Sequence, residues 1–75
     1  MSDTIVSLGK IYKVEYKSRK SGNWVFLHFC RALQTAKGYA RTYGENMETR
    51  IITLVNDNPV RVSYFDGKDF HSERC

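Results

Sequence analysis

Residues 10–31, KIYKVEYKSRKSGNWVFLHFCR, decide what kind of fold this chain can make. From Lys10 the polarity alternates, with Tyr12, Val14 and Tyr16 on one side and Lys13, Glu15 and Lys17 on the other. A repeat of two marks a strand with one face buried. Ser18-Arg19-Lys20-Ser21-Gly22-Asn23 is polar and ends in Gly and Asn, which suits a hairpin turn. Trp24 to Arg31 then reads as the returning strand. Strict alternation puts Trp24, Phe26, His28 and Cys30 on one face and Val25, Leu27 and Phe29 on the other, so both faces are apolar. Such a strand fits the middle of a sheet, where each face has cover.

Outward from this hairpin the chain carries one helix pattern. Ala36, Tyr39, Ala40 and Tyr43 fall at i, i+3, i+4 and i+7, with Lys37 and Arg41 facing away. Thr35 is placed to cap its start, and Gly44 to follow its end with a positive φ. Gly38 inside it would allow close approach to the sheet. A helix this short needs a surface to lie on. Arg50 to Val55 reads as a third strand, Asn56-Asp57-Asn58-Pro59 as a turn, and Val60 to Phe65 as a fourth strand. Asp66-Gly67 turns again. The tail, Lys68 to Cys75, is polar apart from Phe70, and residues 1–9 form a short lead-in in which Ile5 and Val6 can pair or tuck.

The expectation is one small α+β domain over residues 1–75, in the order ββαββ. It has a mostly antiparallel four-stranded sheet with one short helix packed on one face, and flexible ends at 1–9 and 68–75. The helix would cover Tyr12, Val14 and Tyr16, then Val25, Leu27 and Phe29, and from the second hairpin Ile52, Leu54, Val60, Val62 and Tyr64. Five Tyr, four Phe and one Trp in 75 residues supply large rings, which is how a short chain builds a core.

Alternation then fixes the opposite face: Lys13, Glu15, Lys17, Trp24, Phe26, His28, Cys30, Ile51, Thr53, Val55, Arg61 and Phe65. That set is too apolar for an idle surface. One explanation is that the N-terminal segment or the tail folds across it. A second is a protein-binding or self-association face, with Trp24, Phe26, His28 and Phe65 as anchors and Lys13, Lys17 and Arg61 as rim charges. A third is a single-stranded nucleic-acid platform, with bases stacked on Trp24, Phe26 or Phe65 while Lys13, Lys17 and the Arg19-Lys20 hairpin tip follow the phosphates. The net charge of +4 suits an acidic partner of any kind. Glu15 among the basic residues, and the lack of an RNP pattern, favour protein.

Catalytic signatures are missing. The carboxylates are scattered, no glycine-rich phosphate loop precedes the helix, and His28 and Cys30 have no orienting partner, so no enzyme is expected. No cofactor is expected either. The alternative is zinc held by His28, Cys30, His71 and Cys75, since a His-x-Cys strand pair and a His-x3-Cys tail together make four ligands. Two cysteines, an opening Met1-Ser2-Asp3-Thr4 unlike a secretory signal, and no apolar run of about 18 residues point to the cytoplasm and away from membranes. In size and class the chain resembles the small basic α+β proteins of phages and mobile elements, which act by binding host factors. That likeness implies a regulator or inhibitor, in a host cytoplasm if viral, and assigns no residue.

Overall fold

The computed structural model describes residues 9–75. The expected pairing or tucking of Ile5 and Val6 lies outside them. Five strands and one helix follow in the order β1 (Lys10–Lys17), β2 (Trp24–Cys30), α1 (Leu33–Tyr43), β3 (Thr49–Val55), β4 (Asn58–Phe65) and β5 (Phe70–Arg74). They build one antiparallel sheet in the order β2-β1-β3-β4-β5, with α1 across one face, so the domain is α+β.

Two expectations about this sheet need correction. It has five strands and not four, because the tail from Phe70 pairs along β4 as an edge strand. Phe70 sits opposite Phe65 with ring centroids 4.8 Å apart, and the hydroxyls of Ser63 and Ser72 meet at 2.7 Å. Such pairs anchor a strand whose other residues are exposed. Second, β2 is the other edge and not a central strand, so its double apolarity is not explained by neighbours on both sides.

The faces also differ from strict alternation. β2 carries a bulge: Val14 lies opposite His28 but Glu15 lies opposite Phe26, which leaves Leu27 as an extra residue. An inserted residue shifts every side chain beyond it by one position. Tyr12 therefore shares its face with Cys30, Val14 with His28 and Tyr16 with Val25, while Lys13 shares the other with Phe29, Glu15 with Phe26 and Lys17 with Trp24. Phe29 leaves the expected core, and His28 and Cys30 move to the helix side. In β3, and in β4 from Arg61 on, the expected phase is inverted, while Val60, skipped in the register, lies exposed at the helix-side groove and outside the core. Thr49, Ile51 and Thr53 lie opposite Tyr16, Val14 and Tyr12, and Ser63 and Phe65 continue that face into β4. Ile52, Leu54, Val62 and Tyr64 consequently occupy the side away from α1.

The core is compact: Val14, Cys30, Ala36, Ala40 and Ile51 are buried, with Tyr12, Leu27 and Phe70 packed against them. Two alanines on the buried side of α1 let the helix sit close to β1 and β3. At that close approach Thr49 is satisfied by donating its hydroxyl to the Ala40 carbonyl at 2.9 Å. This buried hydrogen bond is what a threonine on the helix side needs. The helix begins at Leu33 with Ala32 as its N-cap residue, so Thr35 is not the cap and lies within the helix. Gly44 has φ −71°, not a positive value. It is required for space, because a Cβ there would stand 2.6 Å from the Ala40 carbonyl oxygen and 2.7 Å from Phe65 Cε2. Gly38, by contrast, has open space where a Cβ would go and makes no close approach.

The hairpin turns follow their sequences. Asn56 and Asp57 both take positive φ, as a two-residue type I′ connection demands. Pro59 stands beside an irregularity where Val60 is skipped in the β3–β4 register, a place where the missing N–H is tolerated.

Candidate functional site

The side of the sheet away from α1 is built around Glu15, which is only 6% exposed although no element among the described residues covers it. Its neighbours do the covering. The Arg50 guanidinium donates from Nε to Glu15 Oε1 at 2.7 Å, Nη2 lies 2.7 Å from the same oxygen, and Lys13 Nζ lies 3.3 Å from Oε2. Glu15 and Arg50 are direct cross-strand partners, so register alone brings them together. Arg50 in turn stacks on Trp24, its Cζ 4.1 Å from the ring centroid, and Lys17 approaches the same ring at 5.9 Å. Tyr64 closes the group, with its ring centroid 6.1 Å from that of Trp24. Two cations thus share one carboxylate, and the Trp24 ring is already engaged by cations and a neighbouring ring.

Beside this group two phenylalanines project into solvent. Phe26 is 48% and Phe29 61% exposed, and their rings pack together with centroids 4.7 Å apart. The bulge at Leu27 is what makes them neighbours: without it, residues three apart on a strand would point to opposite faces.

Of the anchors read from the sequence, Trp24 and Phe26 lie on this outer face, and so do the rim charges Lys13 and Lys17. His28 and Phe65 do not. His28 stacks on Tyr39 of α1 at 4.2 Å, and Phe65 is buried on the helix side against Phe70. Arg61 also lies on the helix side, opposite Arg74, in a groove that Lys10 and Lys37 line as well. None of these four cations has a carboxylate within ion-pair distance among the described residues. Arg19 and Lys20 are exposed at the β1–β2 turn, where Arg19 donates to the Asn46 carbonyl. The tail does not fold over the outer face, because it is spent as β5.

Sequence reading missed Phe29, Arg50 and Tyr64. Arg50 was open to detection, since an arginine at the start of a strand one face away from Thr49 has to point somewhere polar. Phe29 was hidden by the bulge.

The four metal candidates are not gathered. His28 and Cys30 face α1, His71 faces the other way, and Cys75 is exposed beyond β5. No cluster of three or more His, Cys, Asp or Glu side chains with metal-binding geometry occurs among the described residues. His71 instead contacts Asp66 through Nε2 at 2.6 Å. Asp66 accepts from the Lys68 and Asp69 N–H groups across the β4–β5 turn, and the Asp69 N–H, the His71 ring and the Lys68 N–H, in that order, lower its carboxyl to about 2. Burial pushes the Cys30 thiol above its ordinary range, the opposite of what a reactive cysteine needs.

Comparison with protein families, with curated proteins and with solved structures finds no match to this chain. No helix among the described residues is long and apolar enough to cross a membrane.

Proposed function

We propose that this chain is a non-enzymatic protein-binding module, a regulator or inhibitor that acts through the outer face and edge of β2. The observation that carries this is the Phe26–Phe29 pair, half or more exposed, in ring contact and turned away from the helix. Paired exposed rings on a fixed strand are rigid anchors that lose little entropy on binding. Lys13 and Lys17 supply a polar rim, and Glu15 ties down Lys13 and Arg50, so these two cations are not free for phosphates. Base stacking on Trp24 is disfavoured because Arg50 and Lys17 already sit on that ring. This favours protein over nucleic acid at this face.

The test is retention of a binding protein from a cell extract on the immobilised chain. Phe29→Asp should weaken capture by roughly 30-fold, the effect of losing an interface anchor. Capture insensitive to Phe29→Asp would contradict the reading.

A second reading has its own support. The groove of Lys10, Lys37, Arg61 and Arg74 brings together cations without acidic partners among the described residues and sets two arginines directly opposite each other. Like charges in that position are unfavourable until an anion joins them. This suits a phosphate backbone, on the helix side and not on the aromatic face. Oligonucleotide binding that falls steeply with salt and is lost in Arg61→Glu would support it. No binding at low salt removes it.

A further inference from the structure

We propose that β2 pairs edge to edge with β2 of a second copy of this chain, about a two-fold axis between Leu27 and His28, so that two sheets become one. The inference rests on reading the Phe26–Phe29 patch as a protein contact and names the partner.

Three features of β2 point to it. The strand is hydrogen-bonded to β1 alone, so its outer edge has no strand beside it among the described residues. Its sequence, WVFLHFC, contains no Lys, Arg, Asp, Glu or Pro. Edges that stay single are usually guarded by charge or proline, as the opposite edge, FHSER, is by Glu73 and Arg74. For a chain of net charge +4, an uncharged edge is also where two copies meet with least repulsion.

The third feature is the order of faces. Because of the bulge, residues 25 to 30 run helix side, outer, helix side, helix side, outer, helix side. This sequence of faces is the same read in either direction. In an antiparallel pair, opposite residues share a face. An axis between Leu27 and His28 sets Phe26 opposite Phe29 of the second copy, Val25 opposite its Cys30, and Leu27 opposite its His28. Every face then matches. Every other register of four or more residue pairs sets an outer residue opposite a helix-side one. A regularly alternating strand could not use this axis at all, since it would pair odd positions with even ones. A bulge ordinarily protects an edge because a regular strand does not fit it. A second copy carries the same extra residue at the same place, so the two fit residue for residue. On the outer face the four phenylalanines of the two copies would form one cluster, covering the side chains that are now 48% and 61% exposed.

Sedimentation and cross-linking test this, both with Cys75→Ser to remove the exposed thiol. At about 100 µM, a loading suited to a modest interface, the species should have twice the 8.7 kDa chain mass, and Phe29→Asp should restore the single chain without altering the circular dichroism spectrum. Val25→Cys should oxidise to a covalent dimer through Cys30 of the second copy. Val25→Cys combined with Cys30→Ala should not, because the two introduced cysteines lie five residues apart along the strand. Equal cross-linking with and without Cys30 overturns the register. A single chain at every loading overturns self-pairing. In that case, a captured protein still lost on Phe29→Asp leaves the protein-contact reading standing with a different partner, and no captured protein removes both.

Discussion

At the scale of single residues, Glu15 and Gly44 are the positions where the fold has least freedom. Glu15 is buried by its own ion-pair partners, and Arg50 would be left without a carboxylate if it were removed. Breaking a largely buried pair from one side costs more than the pair contributes, because the remaining charge stays partly desolvated. Glu15→Ala should lower stability in urea by about 2–4 kcal/mol, and Arg50→Met combined with it should recover part of the loss. Gly44 has a negative φ, so alanine there meets no left-handed strain, but its Cβ would crowd both the Phe65 ring and the Ala40 carbonyl oxygen, 2.6 Å away. Gly44→Ala should cost about 1–3 kcal/mol by overpacking. Gly38→Ala, with open space at the same helix, should gain up to about 1 kcal/mol. Equal effects of the two glycine changes would show that crowding by Phe65 and the Ala40 carbonyl is not the reason for Gly44.

At the scale of elements, the fold class and the succession of the first four strands and the helix were legible from period and turn chemistry, and the faces were not. The alternation in β1 is unambiguous because lysines and a glutamate mark one side. In β2 no Lys, Arg, Asp or Glu marks either side, so nothing in the sequence betrays the extra residue at Leu27. In β3, Ile51 and Ile52 are equally good core residues, and the choice falls to Thr49, whose hydroxyl reaches the Ala40 carbonyl only from the helix side. β5 was hidden by its polarity, which an edge strand tolerates. Its turn depends on Asp66, whose carboxylate accepts from the Lys68 and Asp69 amides and meets His71. The folded pKa of about 2 lies below the unfolded value near 3.9. A group depressed in this way contributes stability above its unfolded pKa and loses it as pH falls from about 4 toward 2. Protection of the amides of residues 70–74, their exchange taken relative to the intrinsic rate at each pH, should therefore fall over that interval, and Asp66→Asn should abolish that fall. An Asp66 titration midpoint near 4 in the folded chain would contradict this.

At the scale of the whole molecule, one thin sheet has a helix and a small core on one side, and on the other an ion-paired cluster flanked by exposed rings. The candidate site was half legible. Trp24, Phe26, Lys13 and Lys17 are where alternation puts them, whereas His28, Phe65 and Arg61 belong to the helix side and Phe29 to the outer one. The functional reading depends on that division, because a phenylalanine in the core could not serve as an anchor. Thermal denaturation followed by circular dichroism at low micromolar concentration, with Phe29→Asp beside Ile51→Asp, tests it most directly. Phe29→Asp should melt within about 3 °C of the parent chain, as a surface change does. Ile51→Asp, placing a charge where exposure is 1%, should abolish the cooperative transition. A Phe29→Asp chain that unfolds as Ile51→Asp does would place Phe29 in the core and contradict the account.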